Sequence, residues 1–185
     1  WDEQPNPSIG AVRVDPSNPD VIWVGTGEGN PRNSQTNGAG IYRSLDAGKH
    51  WQRMGLENTS TIHRVAVDPR NSQVVYAGAH GNAWHPAKDR GVYKTTDGGK
   101  NWTKMGLEKS DRIASIQIHP NNSNIIYAAA LGALWGNSDD RGVYKTEDGG
   151  KTWNKILFVN NSTGCSELVM DPYNPDVLYA AFWEF

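Results

Sequence analysis

The sequence has 185 residues and a formal net charge of −2, with 20 glycines, 10 prolines and 8 tryptophans. This charge gives no electrostatic footprint for nucleic acid, no apolar run approaches the length of a membrane-spanning helix, and the single cysteine, Cys165, excludes a disulfide framework and a cysteine metal site. The abundance of glycine, proline and tryptophan is typical of a turn-rich all-β protein.

Two strand patterns alternate from the N-terminus onward. Residues 9–16 alternate apolar and other side chains and stop at an Asp-Pro pair, which predicts a strand followed by a turn. A continuous apolar run at residues 21–25 comes next and is typical of a strand buried on both faces. The first pattern returns at residues 62–69, 113–120 and 166–172, and the second at residues 74–78, 125–129 and 177–181.

A third pattern, clearest at residues 91–105, follows each of the first three pairs. Residues 92–95 are β-branched and aromatic, as suits a strand, and Asp97-Gly98-Gly99 is a hairpin turn signal. Copies occur at residues 40–54 and 142–156, at a spacing of 51 residues, which marks one structural unit repeated along the chain. We expect the Asp of each turn to accept backbone hydrogen bonds and the Trp after it to fold back over the turn.

Four strands in each repeat predict an all-β fold, a β-propeller of four-stranded antiparallel blades. The blades span approximately residues 9–54, 62–105 and 113–156, followed by an incomplete blade at residues 165–185. About three and a half blades do not close a ring, since propellers typically have about four to eight. We therefore interpret the sequence as a fragment of a longer propeller with nearly no helix, whose remaining blades come from the parent chain or from another copy.

The loops of such a propeller sort onto two faces. The Asp-Pro turns and the turns of the third pattern share one face. The loops from second to third strand, residues 26–33, 79–86 and 130–137, lie on the other face and differ between blades while the strands repeat. A variable loop on a repeated frame is where a binding site is expected.

The candidate ligand-binding residues on this loop face are Glu28, Arg32, His80, Trp84, His85 and Trp135. Trp84 and Trp135 occupy equivalent places in successive blades, either as a platform that stacks on sugars or peptide side chains or as a wedge between blades. Glu28 is either an acid or base of glycoside hydrolysis, with Asp111 or Glu167 as the second carboxylate, or a residue that caps a turn or pairs with Arg32. The histidine spacing matches no metal-ligand motif, so neither a metal nor a cofactor is predicted.

The hairpin pattern Ser/Thr-x-Asp-x-Gly-x-x-x-Trp, at residues 44–51, 95–102 and 146–153, resembles the Asp-box or BNR repeat. That repeat occurs in β-propellers of sialidases, xyloglucanase-type glycoside hydrolases and sortilin (VPS10) domains. The resemblance implies a structural role, remote from the active sites of those families, for Asp46, Gly48, Trp51, Asp97, Gly99, Trp102, Asp148, Gly150 and Trp153. Residues 171–181 also resemble sortilin-like propellers of exported bacterial proteins, which implies an extracellular, periplasmic or cell-surface location.

The function predicted first is a non-catalytic exported propeller module that binds protein or peptide ligands, with carbohydrate as a further ligand class, through its loop face. Repeated residues account for most polar side chains, which leaves few carboxylates for catalysis and favours this hypothesis. Two alternatives stay open: a xyloglucanase-like glycoside hydrolase with Glu28 as one carboxylate, and a structural module of a large surface protein.

Overall fold

The computed structural model describes residues 1, 4, 6, 8–30, 34–82, 84 and 87–184. Within them the secondary structure consists of fourteen β-strands and one short 3₁₀ helix, Glu108–Ser110. The strands form three four-stranded antiparallel sheets and one two-stranded sheet, each with its strands side by side in chain order. This architecture confirms the all-β fold class that the repeats predict.

The strands of the first sheet (blade 1) are β1 (Ile9–Asp15), β2 (Asn18–Thr26), β3 (Ile41–Ser44) and β4 (Gln52–Arg53). Those of blade 2 are β5 (Ile62–Asp68), β6 (Asn71–Ala79), β7 (Gly91–Thr95) and β8 (Thr103–Lys104). Those of blade 3 are β9 (Ile113–Ile118), β10 (Ile126–Ala130), β11 (Gly142–Thr146) and β12 (Asn154–Leu157). The half-blade consists of β13 (Thr163–Met170) and β14 (Leu178–Glu184).

The hydrophobic core lies in layers between successive blades. Between blades 1 and 2, Trp23 of β2 is fully buried in one cluster with Val65 and Val67 of β5. Tyr76 of blade 2 occupies the corresponding place in the next layer, against Ile116 of blade 3. The continuous apolar runs of blades 2 and 3 are therefore buried on both faces, because each of these two sheets is covered by a neighbour on either side.

Polar contacts between the Asp-Pro turns also join neighbouring blades. The Ser17 and Ser72 hydroxyls lie 2.9 Å apart and connect blades 1 and 2. Arg70 Nη1 donates to the Asn121 carbonyl at 2.8 Å and connects blades 2 and 3. His119 of blade 3 lies 3.7 Å from the Asp176 carboxylate of the half-blade.

The first strands of the blades, β1, β5, β9 and β13, lie side by side at the centre. They line an open groove of about 360 Å³ whose wall includes Arg13, His63, Gln117 and Glu167. Arg64 of β5 reaches across this groove, with Nη2 3.6 Å from Glu167 Oε2 on β13.

Candidate functional site

The three box turns, residues 44–51, 95–102 and 146–153, share one set of hydrogen bonds. Asp97 Oδ1 accepts the Thr95 hydroxyl at 2.7 Å and the Asn101 backbone N–H at 2.9 Å, and Oδ2 accepts the Asn101 side-chain amide at 2.7 Å. Asp148 makes the same three bonds to its own turn, with the Thr152 hydroxyl in place of the amide. The bonds from the backbone N–H groups of Asn101 and Thr152 are those that the sequence predicts, and the side-chain bonds add to them.

The hydrogen bonds that hold the box aspartates also set their protonation state. The Asn101 side-chain amide, followed by the backbone N–H of the same residue, lowers the pKa of Asp97 to about 2. In blade 1 the backbone N–H of His50, with its ring nitrogen, holds the pKa of Asp46 well below its usual range. The aspartates are therefore anions at neutral pH whose lone pairs are used by the turns.

The box tryptophans connect each blade to the one before it. The Trp102 indole N–H of blade 2 donates to the Met54 carbonyl of blade 1 at 2.7 Å. Trp153 of blade 3 donates to the Met105 carbonyl of blade 2 at the same distance. The sequence predicts a Trp folded over its own turn, and Trp51 lies beside Gly48 of its turn. The contacts of Trp102 and Trp153 with the neighbouring blade are an addition that the sequence does not predict.

The long loops of the loop face are organised by two arginines that occupy equivalent positions. Arg90 of blade 2 donates to the carbonyls of His80 and Asn82, and its Nη1 pairs with Asp111 of blade 3 at 2.5 Å. Arg141 of blade 3 is fully buried and donates to four carbonyls, those of Leu131, Ala133, Gly136 and Asn161.

Glycine is required where these side chains pass beneath the loop. Gly132 has a φ of +80°, and a Cβ there would collide with Arg141. Gly81 occupies the same place beside Arg90 in blade 2, with a φ of +64°. The role of these arginines was not predicted from the sequence, although Arg-Gly-Val-Tyr-Lys-Thr repeats at residues 90–95 and 141–146.

A third arginine, Arg112, completes this frame between the blades. It is buried, and its Nε donates to the Gly132 carbonyl at 3.0 Å. Burial, and then the charge of Arg141, lowers the pKa of Arg112 to about 10. Within the described part of the chain, the charged side chains that line a small depression on this face are those of Arg112, Arg90 and Asp111.

Trp84 and Trp135 lie together on this face. Their ring centroids are 5.8 Å apart and their planes are tilted by 34°, so the rings touch across the boundary between blades 2 and 3. The side chains are nevertheless 46% and 66% exposed. A wedge between blades would be buried, whereas this pair presents aromatic surface to solvent.

His80 faces inward from the same loop. It is buried, and its Nε2 lies 3.1 Å from the Ile113 carbonyl of blade 3. Its ring packs on His63 with centroids 4.6 Å apart. Burial, with the charges of Arg64 and Arg112, lowers the pKa of His63 to about 4, and burial lowers the pKa of His80 too. Both rings are therefore neutral at physiological pH and pack as part of the frame.

The three candidate carboxylates are held by separate partners. Glu28 Oε2 accepts the Thr36 backbone N–H at 3.2 Å, as a turn cap would. Asp111 is paired with Arg90, and Glu167 lies in the central groove beside Arg64. Glycoside hydrolysis needs two carboxylates on opposite sides of one bond, and no such pair is formed among these three.

Two candidate residues, Arg32 and His85, lie outside the described residues. Within the described part of the chain, no group of three or more His, Cys, Asp or Glu side chains is arranged to hold a metal ion. No helix in that same part is long and apolar enough to cross a bilayer.

Comparisons with known proteins agree with this architecture. The chain is 24% identical over 180 residues to a xyloglucanase of Paenibacillus sp., a match that covers 84% of this chain and 17% of the relative. Its fold resembles the crystal structure of an ancestral GH74 enzyme with a TM-score of 0.70 and 24% identity, covering 95% of this chain and 22% of that one. It also resembles YCF48 bound to D1 peptide, with a TM-score of 0.58 and 16% identity, covering 90% of this chain and 46% of that one.

These likenesses identify the fold as a β-propeller and show that the chain spans about a fifth of the length of the xyloglucanase and the GH74 enzyme that it matches. A family model, Sortilin-Vps10, described as sortilin, neurotensin receptor 3, matches residues 39–169. Because this match extends over more than half of the chain and includes all three box turns, the chain belongs to the Sortilin-Vps10 family.

Proposed function

We propose that this chain is a non-catalytic ligand-binding part of an exported β-propeller and that its loop face binds a peptide. The observation that carries the proposal is the Trp84–Trp135 pair, whose rings contact each other and still leave about half of each side chain exposed. Large exposed aromatic groups on a rigid frame are typical of ligand-binding surfaces, because they bury much area at a small entropic cost.

The charged residues of the loop face favour a ligand with a negative group. Among the described residues, Arg90, Arg112 and Asp111 are the charged side chains that line the depression. Guanidinium groups in a partly desolvated depression attract a carboxylate more than a neutral sugar. An acidic peptide with an aromatic or aliphatic side chain therefore fits this surface, and the solved relative YCF48 bound to D1 peptide supports a peptide as the ligand.

Xyloglucan hydrolysis is the second candidate function, because curated relatives such as the Paenibacillus enzyme are xyloglucanases. In this hypothesis Trp84 and Trp135 stack on sugar rings and Glu28 supplies one carboxylate. The second carboxylate would come from outside the set described here, since Asp111 and Glu167 are paired elsewhere.

The binding proposal is tested by fluorescence anisotropy with labelled short peptides, one acidic and one basic but otherwise matched. We expect the acidic peptide to bind and the double variant Trp84→Ala/Trp135→Ala to weaken binding by at least about tenfold, since two aromatic contacts are lost. Tyr173→Ala is the matched control, because Tyr173 is an aromatic residue that is 97% exposed in the turn between β13 and β14. Equal binding of both peptides, or a loss as large in Tyr173→Ala, contradicts the proposal.

The hydrolase alternative is tested separately with xyloglucan and a reducing-end assay. We expect no release of reducing ends by the chain and unchanged peptide binding in Glu28→Gln. Release by the wild-type chain that disappears in Glu28→Gln would overturn the non-catalytic assignment. An extracellular, periplasmic or cell-surface location is part of this proposal and follows from the resemblance to exported propellers.

A further inference from the structure

The backbone of Asp111 departs from the repeated frame. Its φ is +55° and its ψ is −59°, and the Arg112 backbone N–H donates to the Ser110 carbonyl across it at 2.6 Å, so these three residues form a γ-turn. A γ-turn with a positive φ is rare and strained for a residue that carries a Cβ. Ser60 holds the same position 51 residues earlier and does not have a positive φ. The strain is therefore specific to Asp111 and is not a property of the repeat.

The side chain of Asp111 makes an ion pair that explains why this strained turn persists. Its Oδ1 lies 2.5 Å from Arg90 Nη1, and the side chains of Arg90 and Asp111 are only 13% and 24% exposed. A guanidinium so far removed from solvent needs a partner for its charge. The free energy of the ion pair therefore offsets the strain of the turn.

The equivalent arginine of blade 3 shows what the frame alone requires. The two arginines share carbonyl partners at equivalent loop positions, His80 and Asn82 for Arg90 and Leu131 and Ala133 for Arg141. Arg141 also donates to the Asn161 carbonyl, whereas Arg90 pairs with the side-chain carboxylate of Asp111. A backbone carbonyl cannot leave without moving the chain. A carboxylate can rotate away, and a second carboxylate can replace it without leaving the guanidinium unpaired.

Arg90 lies beside the exposed aromatic pair. Its Nη2 donates to the Asn82 carbonyl at 2.6 Å, and Asn82 Oδ1 accepts the Trp84 backbone N–H at 2.8 Å, so one residue connects the guanidinium to Trp84. The depression that Arg90 and Asp111 line holds about 20 Å³, which is room for about one water molecule. A ligand that covers Trp84 therefore brings a carboxylate to Arg90 only where Asp111 moves aside.

We propose that Arg90 pairs with the carboxylate of the ligand and that Asp111 occupies this place in the free protein. The inference rests on the peptide-binding function proposed above, and it adds which guanidinium is used and what competes for it. The ligand exchanges one carboxylate for another on Arg90, while Asp111 turns to solvent and its γ-turn relaxes. A neutral ligand offers no carboxylate in exchange, so Asp111 makes the surface selective for acidic ligands.

Fluorescence anisotropy with the labelled acidic peptide tests this competition. Asp111→Asn keeps a residue that tolerates a positive φ but removes the charge, and we expect it to bind the peptide at least about fivefold more tightly than the wild type. The same peptide with its carboxylates replaced by amides should show no gain. Glu108→Gln is the matched control, because it removes the same charge from an exposed side chain three residues away. An equal gain in Glu108→Gln, or no gain in Asp111→Asn, contradicts the competition.

A free carboxylate separates this inference from the peptide-binding proposal. Acetate replaces chloride at constant ionic strength, and heteronuclear NMR follows the Arg90 Nε–H signal. We expect this signal to shift at about fivefold lower acetate concentration in Asp111→Asn than in the wild type. Circular dichroism checks the fold, and Asp111→Gly, in which glycine adopts the same φ without strain, is a second variant for the same measurement.

The two measurements together identify which proposal fails. If acetate shifts the Arg90 signal as expected but the acidic peptide binds neither protein, the peptide function is wrong and the competition at Arg90 stands. If acetate affects the wild type and both Asp111 variants equally, or affects none of them, the competition is wrong even where the peptide binds.

Discussion

Replacing Trp102 with Phe tests whether the box tryptophan connects two blades. The change keeps an aromatic ring but removes the indole N–H that donates to the Met54 carbonyl at 2.7 Å. The net loss of a hydrogen bond is about 1 kcal/mol, and the unpaired carbonyl and the smaller ring add about as much, so we expect unfolding to be easier by about 2 kcal/mol. For a chain of this length that lowers the Tm by about 4–8 °C.

Urea denaturation and differential scanning calorimetry measure this loss. Trp153→Phe should lower the free energy of unfolding by the same amount, because Trp153 donates to the Met105 carbonyl at the same distance one blade later. Trp135→Phe is the control, since this Trp is 66% exposed on the loop face. If Trp102→Phe is no more destabilising than Trp135→Phe, the indole bond does not hold the blades together and the argument fails.

Three further predictions concern the frame. Between pH 6.5 and about 4 we expect His63 to lower the free energy of unfolding by up to about 3 kcal/mol, because the unfolded chain protonates His63 in this range while burial keeps it neutral in the folded chain. Urea melts at pH 7, 5 and 4 measure this fall, and His63→Gln should make it smaller without removing it, since burial also lowers the pKa of His80. Asp97→Ala should lower the Tm, because three hydrogen bonds within the turn are lost, whereas Lys100→Ala, an exposed neighbour, should not. Arg141→Lys should lower the free energy of unfolding by more than about 2 kcal/mol, since one ammonium group cannot donate to four carbonyls as the guanidinium does. The same variant should weaken ligand binding by disordering the Trp135 loop. Arg53→Lys, at an exposed arginine, should change neither quantity.

The blades could be predicted from the sequence because the strand patterns and the turn signals of each repeat indicate the same structure. Alternation and the stop at Asp-Pro, or at His119-Pro120 in blade 3, locate β1, β5, β9 and β13, and the Gly-rich box locates the hairpins, since these signals depend on local conformation. The partner of Trp102 could not be predicted in this way. Its hydrogen bond spans 48 residues to Met54 and depends on how far one blade is rotated from the next, which no local pattern encodes.

The same limit applies to the loop face. His80 is in a variable loop and has a side chain common in binding sites, yet it is buried against Ile113 of the next blade. Its burial depends on the hydrogen bond that Arg90 donates to the His80 carbonyl, which holds the loop in place. The Arg90 side chain fits there only because Gly81 has no Cβ. A sequence pattern identifies the loop as variable, but only the three-dimensional frame separates the side chains that build the loop from those that it presents.

Repetition and exposure together distinguish the binding residues from the frame. Arg90 and Arg141 repeat in successive loops and are anchored to carbonyls, so their repetition is explained by structure. Trp84 and Trp135 also repeat, but they keep 46% and 66% of their surface exposed. Packing within the chain does not require two large apolar side chains to meet in solvent, and their exposure opposes the hydrophobic effect. A ligand that covers both rings removes this cost, which is why the pair, and not the better-hydrogen-bonded frame beside it, is the observation from which we assign binding to the loop face.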